Sequence, residues 1–116
     1  MSRNFISKND ELRLGDFLIS NNGQWKAVFQ EDGNLVVYGW KLVWDSDTKG
    51  LNPFRLRMQE DCNLVMYRED GEPVWQANCA KDRPEMCRLC LTDDGKLVVN
   101  REAKEIWNSA KSKGIK

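Results

Sequence analysis

Two carboxamides, a carboxylate, a phenol and a small apolar group recur in this chain at one fixed spacing. Gln30, Asp32, Asn34, Val36 and Tyr38 hold every second position of one stretch, and Gln59, Asp61, Asn63, Val65 and Tyr67 hold the same positions of another. Aspartate only accepts hydrogen bonds, glutamine and asparagine both donate and accept, and tyrosine supplies a hydroxyl on a rigid ring. Such a set performs directed hydrogen bonding around an apolar contact, which is the chemistry of binding rather than of bond making. A polar hairpin tip accounts for Asp32 and Asn34, but not for Gln30, Val36 and Tyr38 returning with them.

Catalysis is disfavoured on other grounds. The 116 residues include no histidine, which removes the usual general base and the commonest transition-metal ligand. The pairs Glu31-Asp32 and Asp93-Asp94 are adjacent in sequence, so their side chains diverge, whereas glycosidic cleavage needs two carboxyl groups facing each other across a sugar. Cys87-Arg88-Leu89-Cys90 has metal-like spacing, but Cys62 and Cys79 form no second pair of that kind. No metal or other cofactor is expected. A third version of the motif, Thr92, Asp94, Lys96, Val98 and Asn100, keeps the carboxylate and the valine and loses the other three groups. It preserves the frame without the chemistry.

A period of two is that of a strand. A three-residue loop, Glu31-Asp32-Gly33, with Gly33 left-handed in a bulge, sets Gln30 opposite Asn34, Val28 opposite Val36 and Lys26 opposite Tyr38. The polar set then shares one face. The other face receives Trp25, Ala27, Phe29, Leu35 and Val37, and in the second copy Phe54, Leu56, Met58, Leu64 and Met66. In the third it receives Cys87, Leu89, Leu91, Leu97 and Val99. A two-residue turn would instead put Gln30 on the face of Leu35, and three concordant apolar faces argue against it. Cys62 takes the left-handed position in the second copy, where it is strained relative to glycine. Upstream, Asp16 to Ser20 reads as an N-terminal strand.

Trp44, Trp75 and Trp107 follow the three copies, which recur about every 30 residues. Each unit has one apolar face and cannot bury it alone, so three should pack around a common axis with these tryptophans at the centre. Trp40, two residues beyond Tyr38, either packs or borders the first motif. The expected architecture is a single all-β domain, a three-sided prism with repeat units at about 12–46, 47–77 and 78–110. The stretches Trp44 to Pro53 and Trp75 to Pro84 are surface connections.

Eighteen basic and eighteen acidic residues are interspersed along the chain, which gives no electrostatic case for a nucleic-acid or membrane-surface partner. No run of apolar residues is long enough to span a membrane, and the start at Met1 lacks the apolar stretch of a signal peptide. Four cysteines in a small domain point to disulfide bonding.

The complete Gln-x-Asp-x-Asn-x-Val-x-Tyr at 30–38 and at 59–67 resembles the motif of the bulb-type (lily-type) mannose-binding lectins, over about Leu12 to Ser109. The resemblance implies β-prism II, three antiparallel sheets around a pseudo-threefold axis. It further implies that Gln30, Asp32, Asn34 and Tyr38, and likewise Gln59, Asp61, Asn63 and Tyr67, hydrogen-bond the hydroxyls of one mannose, with Val36 or Val65 against its carbon face. An axial hydroxyl beside equatorial ones needs donors and acceptors aimed in fixed directions, and these groups supply both. The site at Thr92, Asp94, Lys96, Val98 and Asn100 departs from the pattern and is expected to be degenerate.

The family bridge, carried over, joins Cys62 to Cys87, leaving Cys79 and Cys90 either to form a second bridge or, for Cys79, to lie exposed and pair between chains. The layout is most similar to the lily-type lectins of fish skin mucus and gill, which implies mannose and high-mannose glycans as partners in innate defence against microbes or parasites. An extracellular or mucus location is expected without a visible signal peptide, and a cytoplasmic one stays open. In relatives the C-terminal strands exchange between subunits, so a homodimer contact near Ile106 to Ile115 is expected. The lysine-rich end, Lys111 to Lys116, otherwise reads as a solvated tail. The alternative to a lectin is a β-prism interaction module that has lost sugar binding.

Overall fold

In the computed structural model, which describes residues 3–83 and 85–116, twelve short strands build three four-stranded antiparallel sheets. Met1 and Pro84, which the sequence reading took as the polar start and the end of the second connection, lie outside the described residues. Three strands open the chain: β1 (Phe5–Ser7), β2 (Glu11–Arg13) and β3 (Phe17–Ile19). Three meanders follow, β4 (Lys26–Phe29) to β6 (Leu42–Asp45) through β5 (Leu35–Tyr38), then β7 (Arg55–Met58), β8 (Leu64–Tyr67) and β9 (Pro73–Gln76). The last comprises β10 (Cys87–Leu91), β11 (Leu97–Arg101) and β12 (Lys104–Asn108). Each opening strand joins a different meander, giving β3-β4-β5-β6, β2-β7-β8-β9 and β1-β10-β11-β12.

The opening segment therefore stitches all three sheets together. The sequence reading found only the strand at Phe17–Ile19, because a three-residue strand is too short to display alternation. The signal was Ile6, Leu12 and Leu18, one apolar residue at the middle of each strand, all buried. The polar stretch Ser7 to Glu11 is the turn between β1 and β2, closed by the Asp10 amide on the Ser7 carbonyl at 2.9 Å.

Hairpin register follows the side-chain argument. Lys26 faces Tyr38, Val28 faces Val36, and the Gln30 amide donates to the Asn34 carbonyl at 2.9 Å. The other two hairpins repeat this, with Leu56 opposite Met66 and Leu89 opposite Val99. Gly33 and Cys62 have φ of 87° and 71°, so the tip of the second hairpin does place a side chain in the left-handed region. At Gly33 a Cβ would also lie 2.7 Å from the Pro53 ring, which closes that position to other residues.

All three inner faces meet in one core, in which Phe29, Leu35, Leu56, Leu64, Leu89 and Leu97 are fully buried. Trp107 packs edge-on to both Trp44 and Trp75, with centroids 6.2 Å apart in each case. Trp25 packs against the rim of this core rather than inside it. It is half-buried against the third hairpin tip, where its Nε1 donates to the Asp93 carbonyl at 2.9 Å. Phe54 is likewise only half-buried, under the Arg13 guanidinium at 4.8 Å.

In every sheet the ladder slips just before the last motif position, between Val37 and Tyr38, Met66 and Tyr67, and Val99 and Asn100. Val43, Val74 and Ile106 are the extra residues, each preceding one of the three tryptophans. A bulge bends its strand and re-aims the side chains beside it.

The lysine-rich end is docked rather than solvated. Ile115 bridges antiparallel to Gln76 at the edge of β9, and the Lys113 carbonyl accepts from Trp75 Nε1 at 2.7 Å. Gly114, at φ 75°, lies so close that a Cβ would be 2.5 Å from the Gln76 carbonyl oxygen and from the Trp75 ring. Lys113 and Lys116 reach Asp45 and Asp47 at 2.8 and 2.9 Å. Composition reads this segment as a tail because its anchors are backbone groups, one glycine and lysines whose partners lie 68 and 69 residues away. Nothing in the described residues pairs Trp44 Nε1 or Trp107 Nε1, the buried counterparts of the indole the tail satisfies. Truncation after Lys111 should cost about 1–2 kcal/mol, the worth of the lost hydrogen bonds once water solvates Trp75. A lowered denaturant midpoint with an unchanged slope is the expected readout.

Candidate ligand-binding sites

Each motif occupies the outer face of its sheet. Gln30 and Tyr38, at opposite ends of the first motif, hydrogen-bond to each other through Nε2 and the phenol oxygen, flanking the Val28–Val36 pair. In the second motif the Tyr67 hydroxyl donates to Gln59 Oε1. The valines beneath are largely covered, Val36 exposing 1% and Val65 5% of its surface. Their contribution to a ligand is a small apolar floor, less than a full sugar-stacking surface.

The carboxylates organise the hairpin tips. Asp32 Oδ1 accepts the Asn34 amide at 3.0 Å, and Asp61 Oδ1 accepts the Asn63 amide at 2.9 Å and Gln59 Nε2 at 3.2 Å. Oδ2 of each has no partner among the described residues and keeps its acceptor capacity.

Asn34 and Asn63 do more structural work than the motif reading gave them. Asn34 Oδ1 accepts from the Ser46 hydroxyl and the Thr48 amide at 3.1 and 3.2 Å, while Nδ2 donates to Asp45 at 2.9 Å. Asn63 Oδ1 accepts the amides of Asn78 and Cys79 at 3.0 and 3.1 Å, and Nδ2 donates to Gln76 at 2.9 Å. Each asparagine therefore clamps the chain leaving its sheet and keeps one N–H for a ligand. Burial of both side chains agrees with that role.

Asp45, Ser46, Thr48 and Gln76 are the supporting residues that the motif reading missed. The signal for Asp45, Ser46 and Gln76 is the recurrence of Trp44-Asp45-Ser46 and Trp75-Gln76-Ala77, and Thr48 has none. Asp45 is held below the usual carboxylate range by the Asn34 hydrogen bond first and by Lys113 second. A lowered folded pKa means that this anchor stabilises above the unfolded carboxyl pKa and is lost as pH falls through the folded one. Gln76 does not titrate, so acid loosens the first site's clamp and spares the second's.

The third copy shows how the chemistry is lost. Asp94 is engaged by the Thr92 hydroxyl and by Lys96 Nζ at 3.5 Å, and the Thr92 contact, ahead of Lys96, lowers its pKa. Lys96 replaces the clamping asparagine, and Asn108 turns instead to Glu105 at 2.5 Å. Val98 remains in the floor and Asn100 faces Arg88. The face is an ion pair where the others offer open acceptors.

Trp40 neither packs nor covers the motif. It is fully exposed at the β5–β6 turn, where the ring of Trp25 already lies against Gly39.

Cys62 and Cys87 are bonded, with Cα atoms 5.5 Å apart, so the second hairpin tip is tied to β10. Cys79 and Cys90 are free thiols, and the second bridge is not formed. On β10, Cys87, Leu89 and Leu91 point inward, which turns Cys90 to the outer face. Cys79 is not exposed either: it is buried behind the second motif, its Sγ donating to the Cys62 carbonyl at 3.1 Å. That burial pushes its pKa up to about 11.

No family model matches the chain. It is 59% identical over 113 residues to the B-type lectin plumieribetin of Scorpaena plumieri, covering 97% of this chain and 100% of that one. Among solved structures, the monomeric monocot mannose-binding lectins of Gastrodia elata superpose with a TM-score of 0.83 at 28% identity, over 94% of this chain and 98% of theirs. The mannose-specific agglutinin of snowdrop (Galanthus nivalis) bulbs, complexed with methyl-α-D-mannoside, gives 0.75 at 33% identity, over 84% and 88%.

Proposed function

This chain belongs to the bulb-type, or B-type, mannose-binding lectins and has their β-prism II fold, and on that premise we propose that it binds mannose at the motifs 30–38 and 59–67. The observation that carries the assignment is what each motif has left after its own scaffold is satisfied. Asp32 and Asp61 keep a carboxylate oxygen, Asn34 and Asn63 keep one N–H, and a glutamine–tyrosine pair brackets a valine floor. These are the directed acceptor, donor and apolar elements that one axial and several equatorial hydroxyls require.

Each site acts by binding without catalysis, and each is shallow. A few exposed hydrogen bonds at about 1 kcal/mol net correspond to an affinity near the millimolar level, about −4 kcal/mol. Two sites per chain then favour dense arrays of terminal α-mannose, such as high-mannose glycans on microbes or parasites, where engagement of several sites multiplies affinity by about a hundredfold or more. A homodimer would double that valency, and the docked segment at Ile115 is the element available for exchange between copies. The Cys62–Cys87 bridge supports an oxidising, extracellular setting.

The test is retention on immobilised mannose followed by elution with free mannose, galactose or glucose. Release by mannose alone is expected. A folded, disulfide-intact protein that is not retained at any ligand density would favour an interaction module instead.

A further inference from the structure

The two motifs are identical in sequence pattern but sit in different electrostatic surroundings. Across the first sheet Val36 is flanked by Val28 and Asp45, and Tyr38 faces Lys26. The ammonium of Lys26 lies 4.2 Å from the centroid of the Phe17 ring. Across the second sheet Val65 is flanked by Arg57 and Gln76, and Tyr67 faces Arg55. An apolar and an acidic neighbour in the first site thus become a cationic and a neutral one in the second.

The arginines are only partly neutralised, because three of them share one carboxylate. Glu11 on β2 is the carboxylate facing Arg13, Arg55 and Arg57, with its Oε1 3.6 Å from Arg55 and 3.4 Å from Arg57. Arg57 spends one donor on a long hydrogen bond to Glu11 and Arg55 only approaches it, so each guanidinium keeps donors to spare. Arg55 Nε is buried with no partner among the described residues. A cavity of about 280 Å³ opens here, lined by Arg55, Arg57, Gln59, Tyr67 and Gly71, so two arginines and two motif residues share one wall. Neighbouring strands are about 4.8 Å apart, which places Arg57 within a substituent's reach of a sugar seated on Val65.

We propose that the second site selects mannosides bearing a phosphate ester, with Arg57 and Arg55 receiving the anionic group, while the first site takes neutral mannose. Guanidinium suits this ligand because its fork of N–H donors matches the oxygens of a phosphate. The inference rests on the mannose reading of the second motif and adds the charge of the ligand to it.

The experiment uses the full chain with one motif disabled at a time. Asp32→Asn leaves the second site and Asp61→Asn leaves the first, and each is titrated by NMR with mannose, mannose 6-phosphate and glucose 6-phosphate. For Asp32→Asn, mannose 6-phosphate should bind about tenfold more tightly than mannose at low salt. That ratio should fall toward one in high salt and on adding Arg57→Gln, and survive in part in Arg57→Lys. Glucose 6-phosphate, epimeric at C2, should bind weakly, and Asp61→Asn should show no preference for the phosphate. Thermal unfolding of each variant verifies the fold. Mannose binding without phosphate preference in Asp32→Asn overturns the inference and leaves the lectin reading intact. Equal affinity for glucose 6-phosphate, or a preference that persists in Arg57→Gln, also overturns it. Loss of mannose binding by Asp32→Asn refutes the second site itself and the inference with it.

Discussion

Replacing Asp32 and Asp61 together by Asn is expected to abolish retention on mannose while the protein stays folded. In each motif one carboxylate oxygen receives the amide two residues on, at 3.0 and 2.9 Å, and the other is left over. An asparagine can still accept that amide through its carbonyl oxygen, so the hairpin tip keeps its internal bond. It presents an NH₂ where the second carboxylate oxygen was, and a donor there meets a ligand hydroxyl positioned to donate. Hydrogen bonds to a charged group are worth about 1.5–3 kcal/mol, and a site of about −4 kcal/mol that loses one of them becomes undetectable. Neither single replacement should abolish retention on a dense mannose surface, because the remaining site still engages it. Unfolding curves for the double variant should stay within about 1 kcal/mol of the parent. Retained mannose binding in a folded double variant would sink the site assignment.

The second large effect is on stability. Cys62→Ala combined with Cys87→Ala should destabilise the chain by about 3 kcal/mol, because the bridge closes a loop between residues 25 apart and restricts the unfolded chain accordingly. Tm should fall by roughly 10–20 °C in this size range. Cys62 adds an internal control, since it holds φ at 71°, where any residue with a Cβ is strained. Cys62→Gly with Cys87→Ala should therefore recover about 1 kcal/mol of the loss, and thermal unfolding of the two double variants measures the difference. The bridge anchors the second hairpin tip, so its removal should weaken the second site more than the first. Equal weakening of both sites would mean that the bridge acts only on global stability.

Both predictions depend on side chains whose roles were legible to different degrees. The hairpin register could be reasoned from residue types, because a one-residue slip would have carried Gln30 to the core face beside Leu35, and three copies made the same demand. Asp32 and Asp61 could be found for the same reason. Asp45 and Gln76 are marked in the sequence only as repeat positions and not by role, since their partners Asn34 and Asn63 lie 11 and 13 residues away and meet them only after the meander closes. The docked end was also misread, because a lysine-rich segment shows no apolar periodicity and its anchor is a carbonyl bonded to Trp75. For Cys79 the polar neighbours leave open a second bridge or an exposed thiol, and neither holds, because Asn63 draws the amides of Asn78 and Cys79 beneath the motif.

By itself the sequence determined the repeat, the strand period, the inner and outer faces and the polar sets, because local alternation and turn chemistry act over a few residues. Tertiary structure alone decided which opening strand completes which sheet, which indole the C-terminal segment caps and which charges gather around the hairpin neighbours of each valine floor. Those depend on contacts between residues far apart in the chain, such as Glu11 with Arg57 and Lys113 with Asp45. Two identical motifs thereby acquire different electrostatic surroundings, Asp45 paired with Lys113 beside one and Arg57 beside Glu11 at the other.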